Sequence, residues 1–273
     1  MKTIISIILL VTINTVLFSQ GQQTDTLNEK TSHFLVAEVD FSDKTLYSGV
    51  EIGDMDHNYN GMVYYVNTKG WYTGLFGSWF SQMEPHYYST IFFAGIQKSL
   101  NKSKSIFLPV SYYHYFYSEE DTLFDFSYKN SLSAGLIVKK KNIETGINTY
   151  LMFGEEINTN ISVSFEYEIK LIRIGKYNAV YLNPGSEFLF GNDAMLVTDD
   201  TSGNSSDKKT YYMSNTTSGM INFELRLPLS IIFNGSELEI AYVYNKPFVF
   251  ENNTAYPSVS GFTVSLSYNF FLK

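Results

Sequence analysis

Residues 261–270 read Gly-Phe-Thr-Val-Ser-Leu-Ser-Tyr-Asn-Phe. Phe262, Val264, Leu266, Tyr268 and Phe270 fall on one face of an extended chain, and Gly261, Thr263, Ser265, Ser267 and Asn269 on the other. Neighbouring side chains of a strand point to opposite faces, so a period of two marks a strand with one apolar and one polar side. The same period runs through 161–171, where Ile161, Val163, Phe165 and Tyr167 oppose Ser162, Ser164, Glu166, Glu168 and Lys170. It recurs in 219–227, with Asn222, Glu224 and Arg226 on the polar face, and in 237–244, with Glu237 and Glu239. A strand of a soluble sandwich alternates in the same way. Length separates the two cases.

Twelve strands are expected near 46–54, 60–67, 71–83, 88–99, 105–117, 127–139, 142–154, 160–173, 178–190, 215–228, 236–246 and 259–271. Most exceed the five or six residues usual in globular sheets and match the ~9–11 that a tilted strand needs to cross a bilayer. The connections keep a parity. Those after even strands are tight and carry lysine: Thr68-Lys69-Gly70, Asn101 to Lys104, Lys140-Lys141-Asn142 and Gly175-Lys176-Tyr177. Those after odd strands are longer and mostly acidic: Asp54 to Asn60, Ser118 to Asp125, Glu155 to Asn160 and Gly191 to Thr210. Short periplasmic turns opposite long outer loops are how transmembrane barrels are built. The expected turn from Pro228 to Ser236 is longer than its siblings, and 71–83 carries bulky residues on both faces.

The N-terminus reads Met1-Lys2, an apolar stretch from Ile4 to Phe18, then Ser19-Gln20-Gly21. That is the order of a cleavable secretory signal, and it is too short and too interrupted by Thr12, Asn14 and Thr15 to span as a helix. The expected organisation is a signal peptide over 1–20, an N-terminal tail over 21–44 in the periplasm or the lumen, and a barrel over 45–273. Phe34 to Phe41 alternates like a strand, but adding it would make the count odd, so it is assigned to the tail.

Composition narrows the function. Aromatic residues make up 17% of the chain, with 22 Tyr, 22 Phe and 2 Trp, and Tyr and Trp collect at membrane–water interfaces. Net charge is −8, with two arginines, Arg173 and Arg226, which argues against nucleic acid. The chain has no cysteine, so disulfides, thiolate metal sites and a cysteine nucleophile are excluded.

With its signal ending in Phe18-Ser19-Gln20, its aromatic-rich alternating strands and its closing Ser265-Leu266-Ser267-Tyr268-Asn269-Phe270, the chain resembles the small porin-like outer-membrane β-barrel proteins of the Bacteroidetes type. The resemblance implies an antiparallel up-and-down barrel in the outer membrane, inserted by the barrel assembly machinery and surrounded by outer-membrane lipid and lipopolysaccharide. It implies no substrate.

The polar strand faces place Glu51, Glu144, Glu166, Glu168, Lys170, Glu187, Glu224, Arg226, Glu237 and Glu239 toward the lumen, because charge facing lipid is costly. Carboxylates lining a narrow bore attract cations. They can equally plug it as a hydrogen-bonded network. Asp54, Asp56, Asn58 and Asn60 have alternate oxygen ligands like part of a calcium loop, but Tyr65 stands where the bidentate Glu should be, so an ordinary acidic loop is the better reading. The four histidines are His33, His57, His86 and His114, the last among Tyr112, Tyr113, Tyr115 and Tyr117 in what reads as an interface girdle. No phosphate loop, dinucleotide fingerprint or zinc motif is present, so neither a cofactor nor catalysis is expected. The functions expected are, in order, a porin-like channel for small solutes or cations, a closed barrel acting through its outer loops in binding, adhesion or an envelope complex, and an outer-membrane hydrolase.

Overall fold

The computed structural model describes residues 31–44, 46–47, 50–51, 57–81, 86–117, 128–154, 157–175, 178–191, 195–199, 209–213, 219–248 and 257–272. Within them the strands are β1 (His33–Ser42), β2 (Leu46–Tyr47), β3 (Val50–Glu51), β4 (Asn58–Asn67), β5 (Trp71–Phe80), β6 (Tyr87–Ser99), β7 (Ile106–Tyr117), β8 (Tyr128–Lys140) and β9 (Ile143–Gly154). There follow β10 (Ile157–Tyr167), β11 (Ile169–Ile174), β12 (Asn178–Leu182), β13 (Gly185–Gly191), β14 (Met195–Asp199), β15 (Lys209–Met213), β16 (Gly219–Phe233), β17 (Ser236–Pro247) and β18 (Val259–Leu272).

One antiparallel sheet closes on itself. β4 to β10 follow one another round the wall, then come β13, β16, β17, β18 and β1, which returns to β4. The pairing of β16 with β17 completes a ring of twelve strands. Two extra strands, β11 and β12, prolong the β10–β13 hairpin past the turn at 141–142, where Glu168 N donates to Asn142 O at 2.8 Å. Closure satisfies the main chain without water, which a span through hydrocarbon requires.

The first wall strand differs from expectation. His33–Ser42 pairs along its whole length with β18 on one side and β4 on the other, so the tail assigned over 21–44 is corrected for this stretch. The strand expected at 46–54 is instead the small β2–β3 ladder in the connection after β1. Ser48, Gly49, Gly53 and Asp54 are turn formers, whereas Phe34 to Phe41 alternates without a break. Because one strand replaces the other, the count stays even, and the described tight turns still lie together at one end of the ring.

Two connections also move. β16 continues through Pro228 to Phe233, and the turn is Asn234-Gly235, with φ of 49° and 87°. Two adjacent left-handed residues form the tight hairpin turn that follows strand twist best. Pro228 is tolerated inside β16 because its carbonyl side faces the break between β12 and β13, where Asn183 N donates to Pro228 O at 3.1 Å. The missing N–H falls where the ladder is already interrupted. β10 starts at Ile157, shortening the connection expected over Glu155 to Asn160 to positions 155–156. Residues 1–30, and with them the expected signal, lie outside the described residues.

The outer face is apolar all round. Leu75, Leu132, Ile147, Val163, Ile240 and Leu266, from six strands, each stand more than a third exposed. Inside, the barrel has two different halves. β4 to β7 send Met62, Tyr64, Tyr72, Phe76, Phe93 and Tyr113 inward, all buried. These side chains join Val36 of the adjacent β1, and Tyr150, Leu189 and Ile221 from across the bore, in one apolar cluster. The rest of the wall sends in carboxylates and small polar groups.

Candidate functional site

The acidic half of the lumen is built by cross-strand register. On β9 and β10, Glu144 stands directly opposite Glu166. On β13 and β16, Glu187 stands directly opposite Glu224. Ser267 of β18 is flanked by Glu38 of β1 and Glu237 of β17, and Ser265 by Asp40 and Glu239. The alternation of each strand sends these residues inward, and the hairpin registers stack them on one side of the bore. They surround a cavity of about 100 Å³ lined by seven glutamates and one arginine, with Ile137 and Pro228 as apolar wall.

Two basic groups are committed within this ring. Arg226 Nη2 donates to Glu239 Oε1 at 2.5 Å, and Ser230 Oγ to Glu239 Oε2 at 3.1 Å. Lys139 Nζ pairs with Glu144 Oε2 at 2.6 Å. Glu38 Oε2 and Glu187 Oε1 are buried without a hydrogen-bond partner, on residues 4% and 9% exposed. Like charges directly opposite one another in a sheet repel, and a desolvated carboxylate oxygen without a donor is costly. The cavity therefore gathers more carboxyl groups than its own two cations pair with.

Of the residues the sequence assigned to the lumen, Glu144, Glu166, Glu187, Glu224, Arg226, Glu237 and Glu239 line the cavity. Glu168 and Lys170 do not, and Glu51 belongs to the β2–β3 ladder, which is not one of the wall's strands. Glu168 is exposed at the break between β10 and β11. Lys170 lies beyond that break with its ammonium 5.3 Å from the centroid of the Tyr181 ring. There the strand has passed the end of β9, so its polar face meets solvent instead of lumen. Asp54 and Asp56 lie outside the described residues, while Asn60 Nδ2 donates to Asn58 Oδ1 at 3.2 Å.

Sequence reasoning missed Glu38, Asp40 and Lys139. Glu38 and Asp40 share a face with Phe34 and Val36, and reading 34–41 as a wall strand would have placed them inside. It also missed the aromatic half. Tyr113 and Tyr115 are buried in the lumen rather than set in an interface girdle. Tyr112 and His114, one position out of phase, both meet Asn130 Oδ1, at 2.7 and 2.8 Å. Phe93 is the hub of the cluster, with ring centroids of Tyr64, Tyr72 and Tyr113 at 6.2, 6.4 and 6.3 Å. Tyr72 bonds Ser111 beside it. Gly74 leaves the room these rings occupy, since a Cβ there would meet the Tyr64 Cβ and lie 2.7 Å from the Phe93 ring.

No protein-family model and no curated protein matches the chain. Among solved structures it is similar to a KdgM porin, at 10% identity and a TM-score of 0.48, over 87% of this chain and 99% of that one. It is similar to a NanC porin at 10% identity and 0.46, over 86% and 98%, and to LpxR from Salmonella typhimurium at 8% and 0.47, over 86% and 99%.

Proposed function

We propose that the chain is a porin-like outer-membrane barrel of the Bacteroidetes type whose lumen favours small cationic solutes. The observation that carries this is a closed ring with an apolar exterior and a carboxylate-lined interior. Water would not tolerate that exterior as one continuous face, whereas a bilayer needs it. Trp71 and Trp79 bracket the outward face of β5 with Leu75 between them, all exposed. They are eight residues apart, about 26 Å along the strand at ~3.3 Å per residue. The ~35–45° tilt of barrel strands projects this to about 20 Å along the normal, within the ~25 Å apolar band flanked by aromatic girdles. The signal-like N-terminus supports export. Negative potential in a narrow low-dielectric bore raises the local concentration of cations.

A second reading, the closed barrel acting through its outer connections, is favoured by the aromatic cluster, whose rings leave Phe93 and Tyr113 with no accessible surface. Envelope fractionation tests the location, with the protein expected in the outer-membrane fraction. Planar-bilayer recording then separates the readings. Cation-selective steady conductance supports the channel, and silence supports the closed barrel. Anion-selective conductance overturns the cationic lumen.

A further inference from the structure

Five of the lining glutamates, Glu38, Glu166, Glu187, Glu224 and Glu237, have no ion-pair partner among the described residues, because Arg226 and Lys139 are held by Glu239 and Glu144. Two of the five present buried, unpartnered oxygens to the same cavity. A metal ion does not fit this arrangement: no three acidic or histidine side chains converge as a ligand set among the described residues. Carboxyl groups that do not converge in threes on one small ion can still be bridged by a cation whose N–H donors are themselves spaced. An ammonium brings three donors and a guanidinium five, and charge-assisted bonds of this kind are the strong ones. The Arg226 guanidinium, seated against Glu239 of β17 and next to Glu224 on the same face of β16, already shows that such a group fits here. Ile137 and Pro228 offer methylenes an apolar wall.

We propose that the cavity is a binding site for a small aliphatic diamine or alkylguanidine, with Glu187 and Glu224 clamping one cationic end and Glu38 receiving the other. The proposal rests on the cation-favouring lumen but not on conduction. It assigns the unpartnered oxygens of Glu38 and Glu187 to N–H donors of the ligand, and it relieves the repulsion between Glu187 and Glu224 by placing positive charge between them.

The test is calorimetric titration of the full-length mature protein, folded in detergent, with 1,4-diaminobutane. Calcium chloride and choline serve as comparators, choline being a cation without an N–H donor. Saturable one-to-one binding of the diamine, at least tenfold tighter than either comparator, is expected. Glu187→Gln and Glu38→Gln should each weaken it at least tenfold, while Glu168→Gln, outside the cavity, leaves it unchanged. Each variant is checked for the gel-mobility shift on heating that reports a folded barrel. Should a variant lose that shift, the diamine must still raise the wild-type temperature of heat modification, and choline must not. Absence of diamine binding, equal affinity for choline or calcium, or unchanged affinity in folded Glu187→Gln and Glu38→Gln overturns the proposal. Diamine binding by a barrel that is silent in bilayers would defeat the channel and leave the site standing. Cation conductance without diamine binding would do the reverse.

Discussion

Arg226 and Phe93 each anchor one half of the lumen. Arg226 is the only arginine lining the cavity, and its bond to Glu239 lies on side chains about a fifth exposed or less. Removing one partner of a mostly buried pair strands the other, so Arg226→Ala is expected to lower barrel stability by about 3 kcal/mol, read as a fall in the temperature of heat modification. Arg226→Lys should recover part of the loss, keeping the charge but not the planar fork. In the other half, Phe93→Ala removes the hub of three rings, at about 3–5 kcal/mol for a buried phenylalanine. Gly74→Ala overpacks the same spot from the opposite direction and should cost about 1–3 kcal/mol. Chemical unfolding in lipid vesicles measures both, and a neutral Gly74→Ala would mean that the rings can give way.

At the scale of the element, β1 is the strand that closes the wall at the N-terminal side. It has neighbours along both edges, so a proline within it deletes a ladder hydrogen bond with nowhere to hide the gap. Val39→Pro is expected to abolish the heat-modifiable band, whereas substitution at Val50, in the small ladder outside the wall, should leave it intact. Equal damage at both sites would contradict the closure through β1. β18 offers the complementary test. Leu266 faces outward and is half exposed, and Leu266→Lys puts an ammonium on the lipid face at a cost of about 2–4 kcal/mol near the midplane. The same substitution at Ser267, turned inward beside Glu38 and Glu237, should cost less in vesicles.

The whole molecule sets orientation and permeability. Cysteines introduced at Lys102 and Lys140, in and beside tight turns, are expected to be shielded from an impermeant thiol reagent on intact cells. Those at Asp121 and Ser205, in the long connections, are expected to label. The chain has no native cysteine to confuse the readout. Inverted labelling would turn the barrel over in the membrane. If the aromatic cluster is the barrier to flow, Phe93→Ala should raise steady conductance severalfold over wild type while Glu166→Gln lowers cation preference. Conductance unmoved by Phe93→Ala would place the constriction elsewhere.

The closed antiparallel architecture was legible in the chain because alternation is local: Phe262 to Phe270, or Ile161 to Tyr167, declares one lipid-seeking and one polar face without reference to any neighbour. The tight-turn signal of Thr68-Lys69-Gly70 is local too, and most inward glutamates followed from the same period. The turn expected over Pro228 to Ser236, by contrast, narrows to Asn234-Gly235. What the chain left open depended on pairing. Phe34 to Phe41 and 46–54 compete as the first strand on pattern alone, and only hydrogen bonding to both β18 and β4 decides between them. Alternation tells which residues share a face but not which strands stand opposite, so the juxtaposition of Glu187 with Glu224, and of Glu38 with Glu237 across Ser267, needed the register. The division of the lumen was beyond the period as well. On β7 both faces carry aromatic side chains, Tyr112, His114 and Phe116 against Tyr113, Tyr115 and Tyr117. Which face turns inward is set by pairing with β6 and β8, which is a property of the closed wall and of no single segment.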